Sequence, residues 1–296
     1  MKRAAYLTMA DAGDFVTDFH LSFDAMAELG WQVETVPWQS AVDWDSFDAV
    51  YICTPWDYPE HLPRFLEVLT DIESSHALLV NDIELVHWTL EKTYLRDIEQ
   101  RGGDIVPSSW YDDFESADPA RFFALHDSDK VVIKPTVGAN AADSFVLQAP
   151  IQGAVLAKLQ VTFSGRAFFV QPFMQSILTE GEYSLFFFNG EYSHSIQKIP
   201  KAGDFRVQEE HGAEIKPTTP SAELLDTANQ MFAAIEPVPT YGRGDWVRGD
   251  DGRYLLMELE LIEPSLYLRT DSGAAARFAR AFDERFQEFA RKRAFG

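Results

Sequence analysis

Three carboxylates carry the strongest chemical signal in this sequence. Asp245 lies in the extended run Tyr241–Arg248, and Glu258 and Glu260 lie in the next one, Tyr254–Leu261. Residues two apart in a strand project from the same face, so Glu258 and Glu260 point together. If the two runs pair as a hairpin, Asp245 reaches the same spot. Three acids there repel one another unless a cation sits among them. Magnesium suits such a site, because it takes oxygen ligands and bridges carboxylates to phosphates. An alternating strand with a solvated acidic face is the competing reading. Glu263-Pro264-Ser265 breaks the strand immediately afterwards.

Cations recur upstream in a chain that has few. Lys134 ends the apolar run Val131–Pro135 and precedes a loop of small residues, Thr136 to Asp143. Such a loop lets backbone N–H groups approach anionic oxygens while the ammonium neutralises them. A strand-end lysine reaching water is the plainer alternative. Gln171-Pro172-Phe173-Met174 must leave its ladder at Pro172, which has no N–H. The freed backbone could read an adenine edge in a slot lined by Phe173 and Met174. In the following Glu180-Gly181-Glu182, Glu180 suits ribose hydroxyls and Glu182 joins the same nucleotide-binding segment. An edge strand with a turn explains this stretch equally well. Lys198, Lys201 and Arg206 then cluster, and the planar fork of Arg206 suits a phosphate or carboxylate.

Composition limits the function classes. The 296 residues hold 25 basic and 47 acidic side chains, a formal charge of −22, which repels nucleic acid and acidic membrane surfaces. An apolar fraction of 46% is ample for a core. One cysteine, Cys53, excludes an internal disulfide and reads as a buried thiol within Ala49–Thr54. The seven histidines show no metal-ligand spacing. P-loop, GxGxxG, GxSxG and HExxH patterns are absent. The N-terminus does not read as a signal peptide, and no apolar run is long enough for a membrane span, so a cytoplasmic location is expected.

The elements that must position these residues change character along the chain. In the first hundred residues strands alternate with helices, which predicts a parallel β/α arrangement. Expected strands are Ala4–Met9, Val33–Pro37, Ala49–Thr54 and Ala77–Asn81. Expected helices are one capped by Asp18 with Leu21, Ala25, Met26 and Leu29 on its buried face, one over Pro59–Ile72, and one continuous helix over Glu84–Gln100 that carries Lys92. Past Val131 the pattern turns antiparallel. Strands are expected at Phe145–Leu147, Ala167–Phe173, Tyr183–Asn189 and Glu191–Ile199, with a hairpin turn at Asn189-Gly190. A helix over Ser221–Ile235 and a last one over Ala274–Arg293 complete the expectation.

Taken in order, these segments resemble the ATP-grasp ligases, in the branch of the prokaryotic glutathione synthetases. The resemblance covers Lys92 to the C-terminus. It implies an N-terminal parallel β/α domain followed by two α+β subdomains that clamp ATP, with boundaries at 1–103, 104–170 (lid) and 171–296 (catalytic). It implies that Lys92 and Lys134 bind ATP phosphates, that Gln171, Pro172, Phe173 and Met174 form the adenine hinge, and that Glu180 takes the ribose. Asp245, Glu258 and Glu260 match the magnesium ligands, and Lys198 and Arg206 match the cations that act on the reacting group. Glu260 replaces a usual asparagine. Ser184 replaces an arginine of the glutathione synthetases, which argues against γ-glutamylcysteine as substrate. Thr54-Pro55-Trp56-Asp57-Tyr58 and Glu258–Tyr267 are similar to the branch that holds the cyclo-ligase of D-cycloserine biosynthesis, which closes a ring from O-ureido-D-serine. The implied activity joins a carboxylate to an amine of a small amino-acid-like substrate through an acyl phosphate. A phosphotransferase and a non-catalytic nucleotide-binding module are the alternatives. Family members are often dimers or tetramers, so a homo-oligomer is expected.

Overall fold

Three sheets build the protein, in a computed structural model that describes residues 1–138 and 142–295. The first alternates strands and helices as expected: β1 (Lys2–Thr8), α1 (Phe23–Glu28), β2 (Trp31–Pro37), β3 (Ala49–Thr54), α2 (Leu62–Glu73) and β4 (Leu78–Val80). Its strands are all parallel in the order β2-β1-β3-β4. β3 is buried along its whole length, including Cys53, as a central parallel strand must be.

Helices α3 (Ile83–Thr89) and α4 (Tyr94–Gln100) lead to the second sheet. It comprises β5 (Ser109–Tyr111), β6 (Lys130–Pro135), β7 (Phe145–Gln148) and β8 (Phe168–Pro172), antiparallel in the order β5-β8-β6-β7. Helices α5 (Arg121–Leu125) and α6 (Gly153–Thr162) flank it, and Phe122, Leu159 and Phe163 pack with Phe168 in one cluster. After the short α7 (Ser176–Thr179) comes the third sheet: β9 (Glu182–Phe188), β10 (Glu191–Ile199), β11 (Glu214–Pro217), then helix α8 (Ala222–Ala233), β12 (Tyr241–Arg248) and β13 (Tyr254–Glu260). It is antiparallel in the order β11-β10-β9-β12-β13. Asn189 and Gly190 both take positive φ, +49° and +78°, which is the turn the β9–β10 hairpin requires.

The last helix, α9 (Ala274–Phe295), ties the end of the chain to its beginning. Phe278 and Phe282 share one core with Tyr6 and Trp31 of the first sheet and with Phe186 and Tyr241 of the third. Trp31 stands edge-on to Phe282 at 5.1 Å, and its Nε1 donates to Asp283 at 2.9 Å. Among the described residues no helix is long and apolar enough to cross a membrane.

Three local expectations are corrected. The single helix over Glu84–Gln100 is two helices, α3 and α4, because the backbone N–H of Lys92 leaves the helical pattern to bond Thr136 O at 2.8 Å. On the first helix only Met26 is fully buried, while Leu21 and Leu29 are exposed. Asp18 caps nothing with its side chain and instead takes the N–H and guanidinium of Arg269. The elements β5, α5, α6 and β11 lie in stretches where no element was expected.

Asn81 holds the first sheet to the third. Its Nδ2 donates to Tyr241 O and Leu261 O, both at 2.8 Å, and its Oδ1 accepts from Thr240 N at 2.7 Å. It is buried and adopts φ +56°, a region asparagine tolerates better than most residues. Asn81→Ala leaves three buried backbone groups unpaired. It should therefore cost about 2–4 kcal/mol in a urea unfolding curve, since each orphaned group carries its own desolvation penalty.

Candidate active site

The carboxylate cluster forms where β12 pairs with β13. Asp245 stands opposite Glu258 in register, and oxygens of Asp245, Glu258 and Glu260 lie within 4.8 Å of one another. The ladder shifts between Asp245 and Trp246, so Met257 is an extra residue on β13. That bulge lets Leu255 and Met257 pack in a different cluster from Tyr254, Leu256 and Leu259. It also turns Met257, Glu258 and Glu260 toward one cleft. Gly244 faces away from the acids, and a Cβ there would meet the Trp246 ring at 2.1 Å.

Protein cations already surround the acids. Arg243, two residues before Asp245 and on the same strand face, donates Nε and Nη2 to the Asp245 carboxylate at 3.1 to 3.2 Å. The same guanidinium pairs with Glu260 and donates to Ser265 O at 3.2 Å. Lys198 on β10 bonds Glu182 at 3.0 Å and Asp245 at 3.4 Å. Ser184 on β9 faces Asp245 across the ladder and donates to it at 2.5 Å. Lys92 donates to Glu258 at 2.6 Å and to Gly138 O at 3.1 Å. Burial works against the charges of Asp245 and Glu258. For Asp245, Arg243 and Lys198 outweigh it, and for Glu258 the ammonium of Lys92 does, so both carboxyls stay below the usual range. Burial wins at Glu260, whose carboxyl is pushed up to about 7 despite Arg243. Arg243 was missed in the sequence. The available signal was its i, i+2 spacing to Asp245 in an alternating strand.

The same cleft receives Lys134 from β6 and the segment Gln171, Pro172, Phe173 and Met174 from the end of β8. The Lys134 ammonium makes no hydrogen bond or ion pair among the described residues, and burial pulls it below the usual lysine range. Pro172 does not end the pairing as the sequence suggested: Phe173 N donates to Lys130 O at 2.9 Å, which continues the β6–β8 register one residue further. Residues 139–141 of the loop after Lys134 lie outside the described residues. An oxygen-only donor set this close fits a hard divalent cation such as magnesium, and a cleft entered by Lys92, Lys134 and Lys198 fits phosphates.

Two expected residues are placed differently. Glu180 does not line the cleft. Its carboxylate takes the Arg248 Nε at 2.9 and 3.1 Å, whereas Glu182, two residues on, reaches the cleft floor. Arg206 lines the cleft mouth, but its guanidinium is engaged by Asp204 at 2.7 to 3.2 Å and its side chain is 41% exposed. None of its hydrogen bonds reaches the acid cluster. The Gly203-Asp204 turn puts a carboxylate two residues away, and that local bond wins over a distant one.

The far end of the cleft is formed by Phe15, Trp56 and Tyr58 of the first domain and by Glu263 and Tyr267 beyond β13. Trp56 Nε1 donates to Glu263 O at 3.0 Å, so the two segments that stood out by sequence near Trp56 and Glu263 meet.

Residues 4–81 match the family model described as the D-cycloserine synthetase DcsG N-terminal domain. The chain is 30% identical over 298 residues to the cycloserine biosynthesis protein DcsG of Streptomyces lavendulae, covering 94% of this chain and 98% of that protein. It resembles the crystal structure of D-cycloserine synthetase DcsG with a TM-score of 0.83 at 28% identity, over 96% of this chain and 99% of the other. The fold extends further, to the D-alanine–D-alanine ligase of Bacillus anthracis complexed with ATP (TM-score 0.71, 13% identity, 99% and 100% coverage). It extends also to the ATP-grasp ligase PsnB complexed with a precursor variant, Mg and ADP (TM-score 0.65, 15% identity, 96% and 98% coverage). With 30% identity to one member over nearly the full length of both chains, and with an acid cluster set between lysines where three sheets meet, the chain belongs to the DcsG family, and it shares the fold of the ATP-grasp ligases.

Proposed function

We propose that this enzyme activates a substrate carboxylate with ATP as an acyl phosphate and joins it to an amine of a small amino-acid-like substrate. Within that reaction we propose ring closure of O-ureido-D-serine, as part of antibiotic biosynthesis. The convergence of Lys92, Lys134, Lys198 and Arg243 on the cluster Asp245, Glu258 and Glu260 carries the reading. The full-length similarity to a cycloserine synthetase supports the choice of substrate.

Each residue has a distinct task in this reading. Phe173 and Met174 give apolar walls for the base. Lys134 stands without an acid partner among the described residues, so phosphate oxygens supply the charge that its buried ammonium lacks. Lys92 holds Glu258 and the loop at Gly138 together, which sets the phosphate-facing wall. Asp245, Glu258 and Glu260 would hold magnesium, which neutralises phosphate oxygens when bound. Lys198 keeps its charge because Asp245 and Glu182 outweigh burial and Arg243, and it faces the reacting end beside Arg243. Arg243 has the planar fork, the burial and the position to orient the carboxylate being activated. Arg206 can join it only after leaving Asp204.

The decisive experiment supplies magnesium, ATP and a panel of amino-acid derivatives, O-ureido-D-serine among them. ADP release is followed and products are identified by mass. An amide or lactam with ADP and phosphate is expected. A stable phosphate ester would mark a phosphotransferase, and nucleotide binding without turnover would mark a non-catalytic module. Glu258→Gln removes one charge and little volume, so it should abolish ADP release, and because it strips Lys92 of its carboxylate it should also lower the unfolding midpoint while the far-ultraviolet circular dichroism stays unchanged. Lys134→Ala should weaken ATP binding about tenfold or more by calorimetry, as loss of a charge-assisted contact of roughly 1.5–3 kcal/mol requires. Arg243→Lys should cost about tenfold or more in kcat/KM by the same reasoning, whereas Arg206→Ala should cost less. The reverse order would return the central role to Arg206.

A further inference from the structure

Among the described residues two acids that line the cleft have no ion pair, the exposed Glu210 and the part-buried Glu263. Asp245, Glu258, Glu260 and Glu182 each accept a hydrogen bond from a lysine or arginine. Glu263 lines the same cleft, part-buried, and forms no ion pair among the described residues. Tyr58 lies beside its side chain instead. Burial, with Glu260 adding to it, pushes the Glu263 carboxyl up to about 8. Four groups face it across the cleft: Tyr58, Glu258, Glu260 and Lys92, of which Lys92 is already bonded to Glu258.

The chain holds this acid firmly. Trp56 Nε1 donates to Glu263 O, Arg243 Nη1 to Ser265 O at 3.2 Å, and His194 Nε2 to Leu266 O at 2.9 Å. Tyr267 closes the loop at φ +46°, a conformation that needs surrounding bonds to persist. Phe15 and Trp56, with ring centroids 5.1 Å apart, supply an apolar wall at this end. A second acceptor is also short of a partner: Gln208 Oε1 is buried without a hydrogen bond among the described residues, and Gln208 lines the same cleft. Sites in folded proteins rarely leave such acceptors unmet, and ligand donors are one means of satisfying them.

We infer that Glu263, set by Tyr58 and Trp56, is a specificity residue that receives the nitrogen-bearing end of the substrate, and that the cleft selects ligands with an ammonium or N–H-rich terminal group over isosteres without one. The inference rests on the ligase reading above, and it assigns the substrate-selecting contact rather than the nucleotide or phosphate contacts. An acceptor built for a substrate N–H discriminates strongly, because the analogue lacking it leaves the buried group unmet.

The test measures binding by calorimetry with magnesium and a non-hydrolysable ATP analogue present. Two probes are used: O-ureido-D-serine, and its isostere with the terminal N–H groups replaced by carbon. Wild type is expected to prefer the nitrogen compound about tenfold or more. Glu263→Gln should bring the two probes within about threefold while leaving the isostere and the nucleotide bound as before, and Tyr58→Phe should narrow the preference less. A preference that persists at full size in Glu263→Gln, with nucleotide affinity intact, overturns the inference and leaves the ligase reading standing. A wild type that binds nucleotide but neither probe overturns the substrate reading and the inference together.

Discussion

Asp245, Glu258 and Glu260 crowd within 4.8 Å, and like charges so close cannot stay ionised without cations among them. The fold answers by bringing a cation from each of several directions. Arg243 comes from the same strand, Lys198 from two strands away, and Lys92 from the interrupted helix before the second sheet. Each cation serves a second purpose as well. Arg243 pins the loop at Ser265, Lys92 pins the loop at Gly138, and Lys198 neutralises Glu182. Removing one partner would leave an uncompensated buried charge, which is far costlier than losing an exposed pair.

That demand explains features that look like local irregularities. The helix expected over Glu84–Gln100 is interrupted where Lys92 must reach both Thr136 O and Glu258. The bulge at Met257 sets Glu258 and Glu260 on the cleft face while Leu256 and Leu259 stay in the core. Gly244 alternates with Arg243 and Asp245 because its other face is filled by the Trp246 ring. Asn81 and Tyr241 then lock the third sheet to the first, and Tyr241 donates its hydroxyl to Ile262 O at 2.8 Å beside the Glu263 loop. Rigidity at the cleft therefore comes from sheet-to-sheet contacts that lie behind it.

Much of this was legible in the residues themselves. The strands Tyr241–Arg248 and Glu191–Ile199 match their expected bounds, because local turns mark ends of each: Gly249–Gly252 follows the first and Asn189-Gly190 precedes the second. The acid cluster was readable because two-residue spacing and a hairpin are local properties. What escaped depends on contacts far apart in sequence. Nothing in Glu84–Gln100 announces that Lys92 N will prefer Thr136 O to its helix. The short β5 and β11 are edge strands, defined by a neighbour more than by their own pattern. Arg206 shows how a near neighbour competes with a distant one: its chemistry suits the reacting group and it lines the cleft, but Asp204 is two residues away and closes a local bond.

A formal charge of −22 opposes the approach of a nucleotide only where the charges are not screened. Charges beyond a Debye length, about 8 Å at physiological ionic strength, are largely screened, so only the lining decides what the cleft attracts. There the acids are largely neutralised by Arg243, Lys198 and Lys92, while Lys134 remains without an acid partner among the described residues. The phosphate side of the cleft thus presents uncompensated positive charge. At the far end, near Trp56 and Tyr58, the group without an ion pair is the Glu263 carboxyl, which burial keeps largely protonated until a cationic or N–H-bearing group enters beside it. The two ends of the cleft therefore make different demands, an anion beside Lys134 and a nitrogen-bearing group beside Glu263, and that difference acts before any shape in the cleft distinguishes one side chain from another.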